Sequence, residues 1–312
     1  MSEISLKKPH VSGPRKAKRA PGEERQRIHK RSNHLNRSLG GDIAINIFLL
    51  LVGLFMIFPM VYAVSSSLKP LDELWIFPPR ILVRQPTFSN FQELLRLISN
   101  SQVPFFRYIF NTVFISVAGT GGHVLIASLC AYALAKHRFP GRNVIFQIIV
   151  LALMFSTAVT TIPNYIIMSR LHMVDTYWAI IIPAFATPLG LYLMKQFMEQ
   201  MVPDVLLEAA RIDGCNEWRI FFRIVMPIVK PAWLTLIIFS FQTLWNSGSN
   251  ILVFSEELKT LNYAMGQILA GGIARAGVGS AAAVVMMIVP VLLFVFAQSN
   301  IVQTMAASGM KE

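Results

Sequence analysis

The chain has 312 residues, of which 54% are hydrophobic and 14% charged, and its formal net charge is +12. A water-soluble domain carries about 25% charged residues, so this sequence lacks the polar surface to cover a globule of its size. With a mean hydropathy of +0.54, lipid is the solvent its composition suits, and a soluble two-domain enzyme is disfavoured.

Residues 1–41 form a basic tail in which Lys7, Lys8, Arg15, Lys16, Lys18, Arg19, Arg25, Arg27, Lys30, Arg31 and Arg37 face only Glu3, Glu23 and Glu24. Pro9, Gly13, Pro14, Pro21 and Gly22 discourage helix, and disorder is expected there. No aromatic residues interleave the charges and a span follows, so attraction to anionic lipid and fixing of topology explain the tail better than nucleic-acid binding. The apolar run that follows is too long for a cleavable signal.

A bilayer crossing needs about 20 apolar residues at 1.5 Å rise each. Runs free of Asp, Glu, Lys and Arg predict six: Ile43–Leu68, Tyr108–Ala135, Asn143–Ser169, Thr176–Met194, Pro231–Ser255 and Ala276–Met310. Thr260–Ala274 is too short and Gly-rich to span. None of the six alternates at period two, which disfavours a membrane β-barrel. The expected fold is an all-α integral membrane protein of six transmembrane helices, residues 42–312.

Positive charge collects on the cytoplasmic side. The tail therefore stays inside, as do Lys136, His137, Arg138 and Arg142, the stretch 195–230 and the C-terminus. The connections at 69–107, 170–175 and 256–275 face outward. Cys130 in the second span and Cys215 in an inner loop are not positioned for a disulfide. The six His show no metal-ligand spacing. His123 follows Gly119, Gly121 and Gly122, small residues that let helices approach, so an interhelical hydrogen bond is expected before a proton relay. No phosphate loop, H-E-x-x-H or nucleophile elbow occurs, so no catalysis is assigned to the chain and no cofactor or metal is expected.

Within the inner loop 198–230, Pro203 suits a first turn, Asp204 complements its positive end and Gly214 can close the helix in the left-handed conformation. Asn216 can cap a second helix, on which Trp218, Phe221, Phe222 and Val225 fall on one apolar face until Pro227 stops it. Such a pair can anchor in lipid headgroups or offer a low helical surface, Ala209 and Ala210 beside Glu208, to a partner's groove. Composition does not separate these readings.

The wording of the loop does. Glu208, Ala209, Ala210, three residues ending at Asp213, Gly214, nine residues, then Ile224, Val225, Met226 and Pro227 closely resembles the EAA loop of ATP-binding-cassette importer permeases. Met226 stands where Leu is usual, a volume-conserving change. Ser67-Leu68-Lys69-Pro70, Phe110-Asn111-Thr112, Phe139-Pro140-Gly141-Arg142, Trp245-Asn246 and the ending Ala307-Ser308-Gly309-Met310-Lys311 are similar to the smaller permease subunit of carbohydrate importers of the maltose-importer type. The resemblance covers residues 42–312.

That resemblance implies a second permease subunit, two ATP-binding-cassette ATPase subunits that bind the ATP and Mg, and an extracytoplasmic solute-binding protein met by the outer loops 69–107 and 256–275. It implies a bacterial cytoplasmic (inner) membrane location, both termini cytoplasmic, with no nucleic acid involved. Glu208, Ala209, Ala210, Asp213, Gly214, Ile224 and Pro227 would then couple to the ATPase, and the tail near Gly309 and Lys311 would either reach the ATPase dimer or fray.

For cargo, Gln242, Asn246 and Asn250 recur at i, i+4 and i+8 of the fifth span and share a face that avoids lipid. Uncharged amides suit sugar hydroxyls, and Trp245 or Tyr165 can offer an aromatic surface, although such a stripe also serves hydrogen bonding between helices. Asn164, with Thr157, Thr160 and Thr161, is a weaker candidate, because Thr hydroxyls can satisfy carbonyls freed by Pro163. The alternatives are a secondary transporter, for which no acidic residue lies within a span, and a membrane assembly protein without an ATPase partner.

Overall fold

The computed structural model describes residues 39–99, 103–248, 251–272 and 275–308. The basic tail up to residue 38 and the ending around Gly309 and Lys311 lie outside them. The described residues are helical, with no strand among them. The chain divides into two compact units, residues 1–53 and 54–312. In the first, the described residues are the opening of α1 (Leu39–Ser67), and their side chains from Gly40 onward are exposed or half-buried.

The second unit is built around α4 (Phe105–Lys136). Before it come the rest of α1, a one-turn α2 (Leu71–Leu74) and α3 (Ser89–Ser99). After it come α5 (Arg142–Ala152), α6 (Thr157–Arg170), α7 (Trp178–Phe185) and α8 (Pro188–Met201). The chain ends with α12 (Lys230–Trp245), α13 (Leu261–Leu269) and α14 (Ala276–Ser308), which follow the short elements of the loop described below.

One side of α4 is small: Ser116, Gly119, Thr120, Ala127, Ser128 and Ala131 are buried at helical spacing, which lets neighbouring backbones approach in the absence of a hydrophobic drive between helices. A Cβ on Gly119 would stand 2.5 Å from Leu244 Cδ1 of α12, and one on Gly122 2.1 Å from Phe185 Cε1 of α7. Gly121 has nothing near it and plays no such part. His123, 1% exposed, makes the interhelical bond: its Nδ1 meets the carbonyl of Ala184. Pro188 has no N–H for that carbonyl, and at the break between α7 and α8 the oxygen accepts from the Thr187 hydroxyl at 2.8 Å and the Thr187 amide at 3.4 Å as well as meeting His123.

Among the described residues, four helices are long and apolar enough to cross a membrane, Gly40–Ser67, Phe105–Lys136, Trp178–Met201 and Ala276–Phe296, and two bent pairs raise the number to six if each is one span. The third run, expected as one continuous helix, is broken at residues 153–156 and bent by 112° between α5 and α6. The amides of Leu153, Met154 and Phe155 tighten to i−3 carbonyls, and Ser156 then restarts the chain in an extended conformation.

The fourth run extends past Met194, where charge ended the sequence reading. Lys195 pairs with Glu199 at 2.8 Å and sits 3.8 Å from the Phe146 ring centroid, while Arg142 reaches Glu199 at 3.0 Å. The fifth helix is shorter than expected and stops at Trp245 instead of Ser255.

Candidate functional site

The loop after α8 folds as two helices, α9 (Asp204–Ile212) and the stretch Glu217–Ile228, made of α10 (Glu217–Ile220), a π turn over Phe221–Val225 and α11 (Met226–Ile228). The turn between them is closed by two backbone bonds. Cys215 N–H donates to Ala210 O and Gly214 N–H to Arg211 O, each 3.0 Å, the paired 6→1 and 5→2 pattern of a Schellman ending. Gly214 supplies the required left-handed residue at φ +77°. Asn216 Oδ1 accepts the Arg219 amide at 2.8 Å and starts the second helix.

The expected apolar face of that second helix is corrected by the structure. Phe221 and Val225 are buried, but Trp218 is 62% and Phe222 51% exposed, and Ile220 takes the vacated inner position. The buried and half-buried positions are Glu217, Ile220, Phe221, Ile224 and Val225, the i, i+3, i+4, i+7, i+8 row of an ordinary helix, so the inner face passes beside Trp218 and Phe222 rather than through them. Within that row a π turn lets Met226 N–H reach back to Phe221 O. Pro227 has no N–H to extend the ladder, the helix ends at Ile228, and the Trp233 indole donates to the exposed end of the ladder at Met226 O, 3.0 Å.

The pair is seated on the ends of the spans. Leu207 and Ala210 of α9, with Ile220, Phe221 and Val225, join one core with Ala131 and Tyr132 of α4, Met194 and Met198 of α8, and Leu236 of α12. Polar anchors flank it. Lys136, its side chain 5% exposed, donates to Val202 O and to Asp204 Oδ1, both at 2.7 Å. Glu217 accepts from Tyr132 Oη at 2.7 Å and from Arg211 Nε at 2.8 Å, with His137 Nε2 at 3.5 Å.

The Arg211 bond holds the Glu217 carboxyl below the ordinary glutamate range, and the Lys136 bond does the same for Asp204. These groups, with Arg138 and Glu208, line a polar recess of about 500 Å³. Of the coupling residues expected from the sequence, Glu208, Ala209, Asp213, Gly214 and Pro227 are exposed, Ile224 is half-buried and Ala210 faces the core. Tyr132, Lys136 and Glu217 were not singled out for this site; Lys136 was read only as a marker of sidedness, because nothing local relates it to Asp204 sixty-eight residues on.

The second candidate site is a cavity of about 520 Å³ between α12, α13 and α14, lined by Gln242, Asn246, Asn262 and Met265, with Met60. Gln242 and Asn246 share it. The third member of the expected row, Asn250, follows the end of the helix and lies outside the described residues. Trp245 offers no aromatic wall, since its ring is 3% exposed, stacks on Phe241 at 5.5 Å, and gives its N–H to Met286 O at 3.0 Å. Asn262 was missed because Thr260–Ala274 was set aside as too short to span. Its own signal is a cap at Thr260 followed by Leu261, Met265 and Ile268 at i, i+4 and i+7.

Asn164, with Thr157, Thr160 and Thr161, lines a separate recess of about 260 Å³, and Tyr165 is half-buried beyond it. Both Thr160 and Thr161 hydroxyls donate to Thr157 O, at 3.1 and 2.7 Å, and neither reaches the Val159 carbonyl that Pro163 frees.

On the opposite end of α4, Asp175 ties two connections together. It accepts the amides of Phe254 and Ser255 at 2.8 Å each and the Ser255 hydroxyl, and the last bond leads in holding its carboxyl low. Asn111 donates to Glu257 O and Lys259 O at 2.8 and 2.9 Å and accepts from Tyr177 Oη at 2.7 Å.

Comparison with known proteins gives one consistent result. The family described as binding-protein-dependent transport system inner membrane component matches residues 123–306. The chain is 27% identical over 271 residues to the arabinooligosaccharides transport system permease protein AraQ of Bacillus subtilis, covering 86% of this chain and 95% of that one. It is 33% identical over 210 residues to the sn-glycerol-3-phosphate transport system permease protein UgpE of Yersinia enterocolitica, covering 66% and 74%. A solved structure of a bacterial ABC transporter that imports the acidic polysaccharide alginate shares the fold, with a TM-score of 0.71 at 23% identity over 84% of this chain and 98% of that one.

Proposed function

The chain belongs to the family of binding-protein-dependent transport system inner membrane components and is a permease subunit of an ATP-driven importer; from that premise we propose that it carries a neutral sugar or oligosaccharide and receives its mechanical drive through α9. The family membership removes the ion-driven transporter and the assembly protein from consideration.

The observation that carries the proposal is the construction of the Asp204–Ile228 pair. Its rear is fixed to the ends of α4, α8 and α12 by a shared core and by Lys136 and Glu217, while Val205, Glu208, Ala209 and Ile212 stand exposed on α9. A displacement applied to that outer face passes to three spans without being absorbed by a loose joint. The face fits the cleft of an ATPase subunit, which would hold the ATP and Mg, with Glu208 as its polar contact. Gly214, Asp213, Ile224 and Pro227 shape the joint.

The cargo reading rests on the cavity beside α12. Gln242, Asn246 and Asn262 present amides, and no Lys or Arg lines it among the described residues, a chemistry suited to hydroxyls and ill suited to a phosphate ester. The AraQ relative handles arabinooligosaccharides, in keeping with that preference. The exposed apolar sides of α1, α5 and α6 would be covered by lipid and by a second permease subunit. The connection pinned by Asp175 and Asn111 is a rigid outer platform for a solute-binding protein. With that sidedness, both termini lie in the cytoplasm of a bacterium.

Affinity purification of this chain from mild detergent tests the assembly. An ATPase and a second permease of similar size are expected to co-purify. A chain that isolates alone, with uptake driven by an ion gradient in vesicles free of any ATPase subunit, contradicts the reading.

A further inference from the structure

The helix Glu217–Ile228 meets α12 at 80°. With α12 crossing the bilayer, the preceding helix lies close to the membrane plane, at the foot of a span. Its inner side is Ile220, Phe221 and Val225, all buried. Its outer side is Trp218, Arg219, Phe222 and Arg223, all exposed. Spacing of i and i+4 sets these in two rows: the Trp218 and Phe222 rings stack with centroids 6.1 Å apart and 14° between planes, and Arg219 falls four residues from Arg223. Neither guanidinium has an ion-pair partner among the described residues, and Lys230 is exposed where the span begins.

An in-plane helix with an exposed indole and unpaired cations has the chemistry of an interfacial element. Trp sits at headgroup level, and guanidinium groups bond phosphate oxygens while basic residues draw anionic lipid. Across the Gly214 turn, Asp204 is paired with Lys136 and Arg211 with Glu217, so among the described residues the unpaired exposed charges of α9 and its cap are Glu208 and Asp213, which anionic headgroups repel.

We propose that the two helices divide their partners: α9 takes the ATPase, and Glu217–Ile228 rests on anionic phospholipid of the inner leaflet through Trp218, Phe222, Arg219 and Arg223. The inference rests on the inner-surface placement under the proposed function. The lipid contact gives the joint at Gly214 a fixed base against which α9 is pushed.

The test uses the whole complex in nanodiscs of phosphatidylcholine alone or mixed with phosphatidylglycerol. A benzoyl-phenylalanine replaces Phe222 in one preparation and Ala209 in another, and adducts are read by mass spectrometry. Position 222 is expected to yield phospholipid adducts that increase with phosphatidylglycerol. Arg219→Gln with Arg223→Gln is expected to remove that increase, a loss of about tenfold or more for two charges, while leaving adducts in phosphatidylcholine unchanged. Crosslinking of 222 to an ATPase or another protein subunit, or adduct yields indifferent to anionic lipid, overturns the proposal. Position 209 reports separately on the ATPase contact: lipid at 222 with no ATPase adduct at 209 refutes the proposed docking and leaves the lipid seat standing.

Discussion

Replacing Gly214 by alanine isolates the backbone contribution of the joint. A Cβ there would meet nothing within 4 Å, so packing is not disturbed, and the whole effect comes from holding a non-glycine residue at φ +77°. That conformation costs an L-residue about 1–2 kcal/mol, a shift of about 5- to 30-fold in the local opening equilibrium. Asparagine tolerates the left-handed region better than alanine, so Gly214→Asn should fall between the two. The reporters are the amides of Gly214 and Cys215, which donate to Arg211 O and Ala210 O. Their hydrogen exchange in the detergent-solubilised complex should accelerate by that factor in Gly214→Ala, and ATP-driven uptake should fall with it while α4 and α8 amides keep their protection. Unchanged exchange at Cys215, or an asparagine variant worse than alanine, would refute the reasoning.

Three further outcomes follow from the anchors and the close contacts. Lys136→Met should destabilise docking of α9 by about 1–3 kcal/mol, because the Val202 carbonyl loses its donor, whereas Asp204→Asn should stay within about 1 kcal/mol because that carboxylate is 71% exposed; limited proteolysis at residues 202–215 ranks the two. Since the Glu217 carboxyl is held low, its contribution is fully present above the ordinary glutamate value of about 4.3 and is lost as pH falls below it through the depressed folded value. Hydrogen exchange across 211–220 should rise only in that acidic window, and Glu217→Gln should flatten the dependence. A Cβ at Gly190 would stand 2.0 Å from His123 Nε2 and 2.7 Å from Leu236 Cδ1. Gly190→Ala should therefore lower thermal stability by an overpacking cost of about 1–3 kcal/mol, with Gly121→Ala, inside α4 and free of any contact, as the control that holds or gains up to about 1 kcal/mol.

The end of the second run was legible from charge, at Lys136, whereas Asp42 and Arg107, which bounded the first and second runs, lie inside α1 and α4. The fourth run was misjudged where charge was neutralised locally: Lys195 and Glu199 pair with each other and with Arg142, so α8 continues through residues that looked like its boundary. The opposite error lengthened the fifth run, because Ser247 and Gly248 carry no charge and yet leave the helix.

The turn of the loop after α8 was legible to the residue, since Gly214 and Asn216 are local devices. The face of the second helix was not, because Trp218 and Phe222 were placed on it for their apolarity, whereas the inner row runs through Ile220, Phe221, Ile224 and Val225. Residues of the site that arrive from distant sequence, Tyr132 and Lys136 on α4 and Asn262 on α13, had no pattern to connect them to the loop or the cavity. Pro188 was visible in the sequence, but the contact of His123 with the Ala184 carbonyl beside it depends on two helices crossing at that height.

The central claim is that force enters this chain through the outer face of α9. Glu208→Arg, in the complex reconstituted into liposomes with its binding protein and a labelled carbohydrate, tests it most directly. The account predicts that the ATPase subunits still hydrolyse ATP, while stimulation by the loaded binding protein and uptake of the carbohydrate both collapse. Uptake and stimulation at the unmodified level, with the substituted side chain in place, would contradict it.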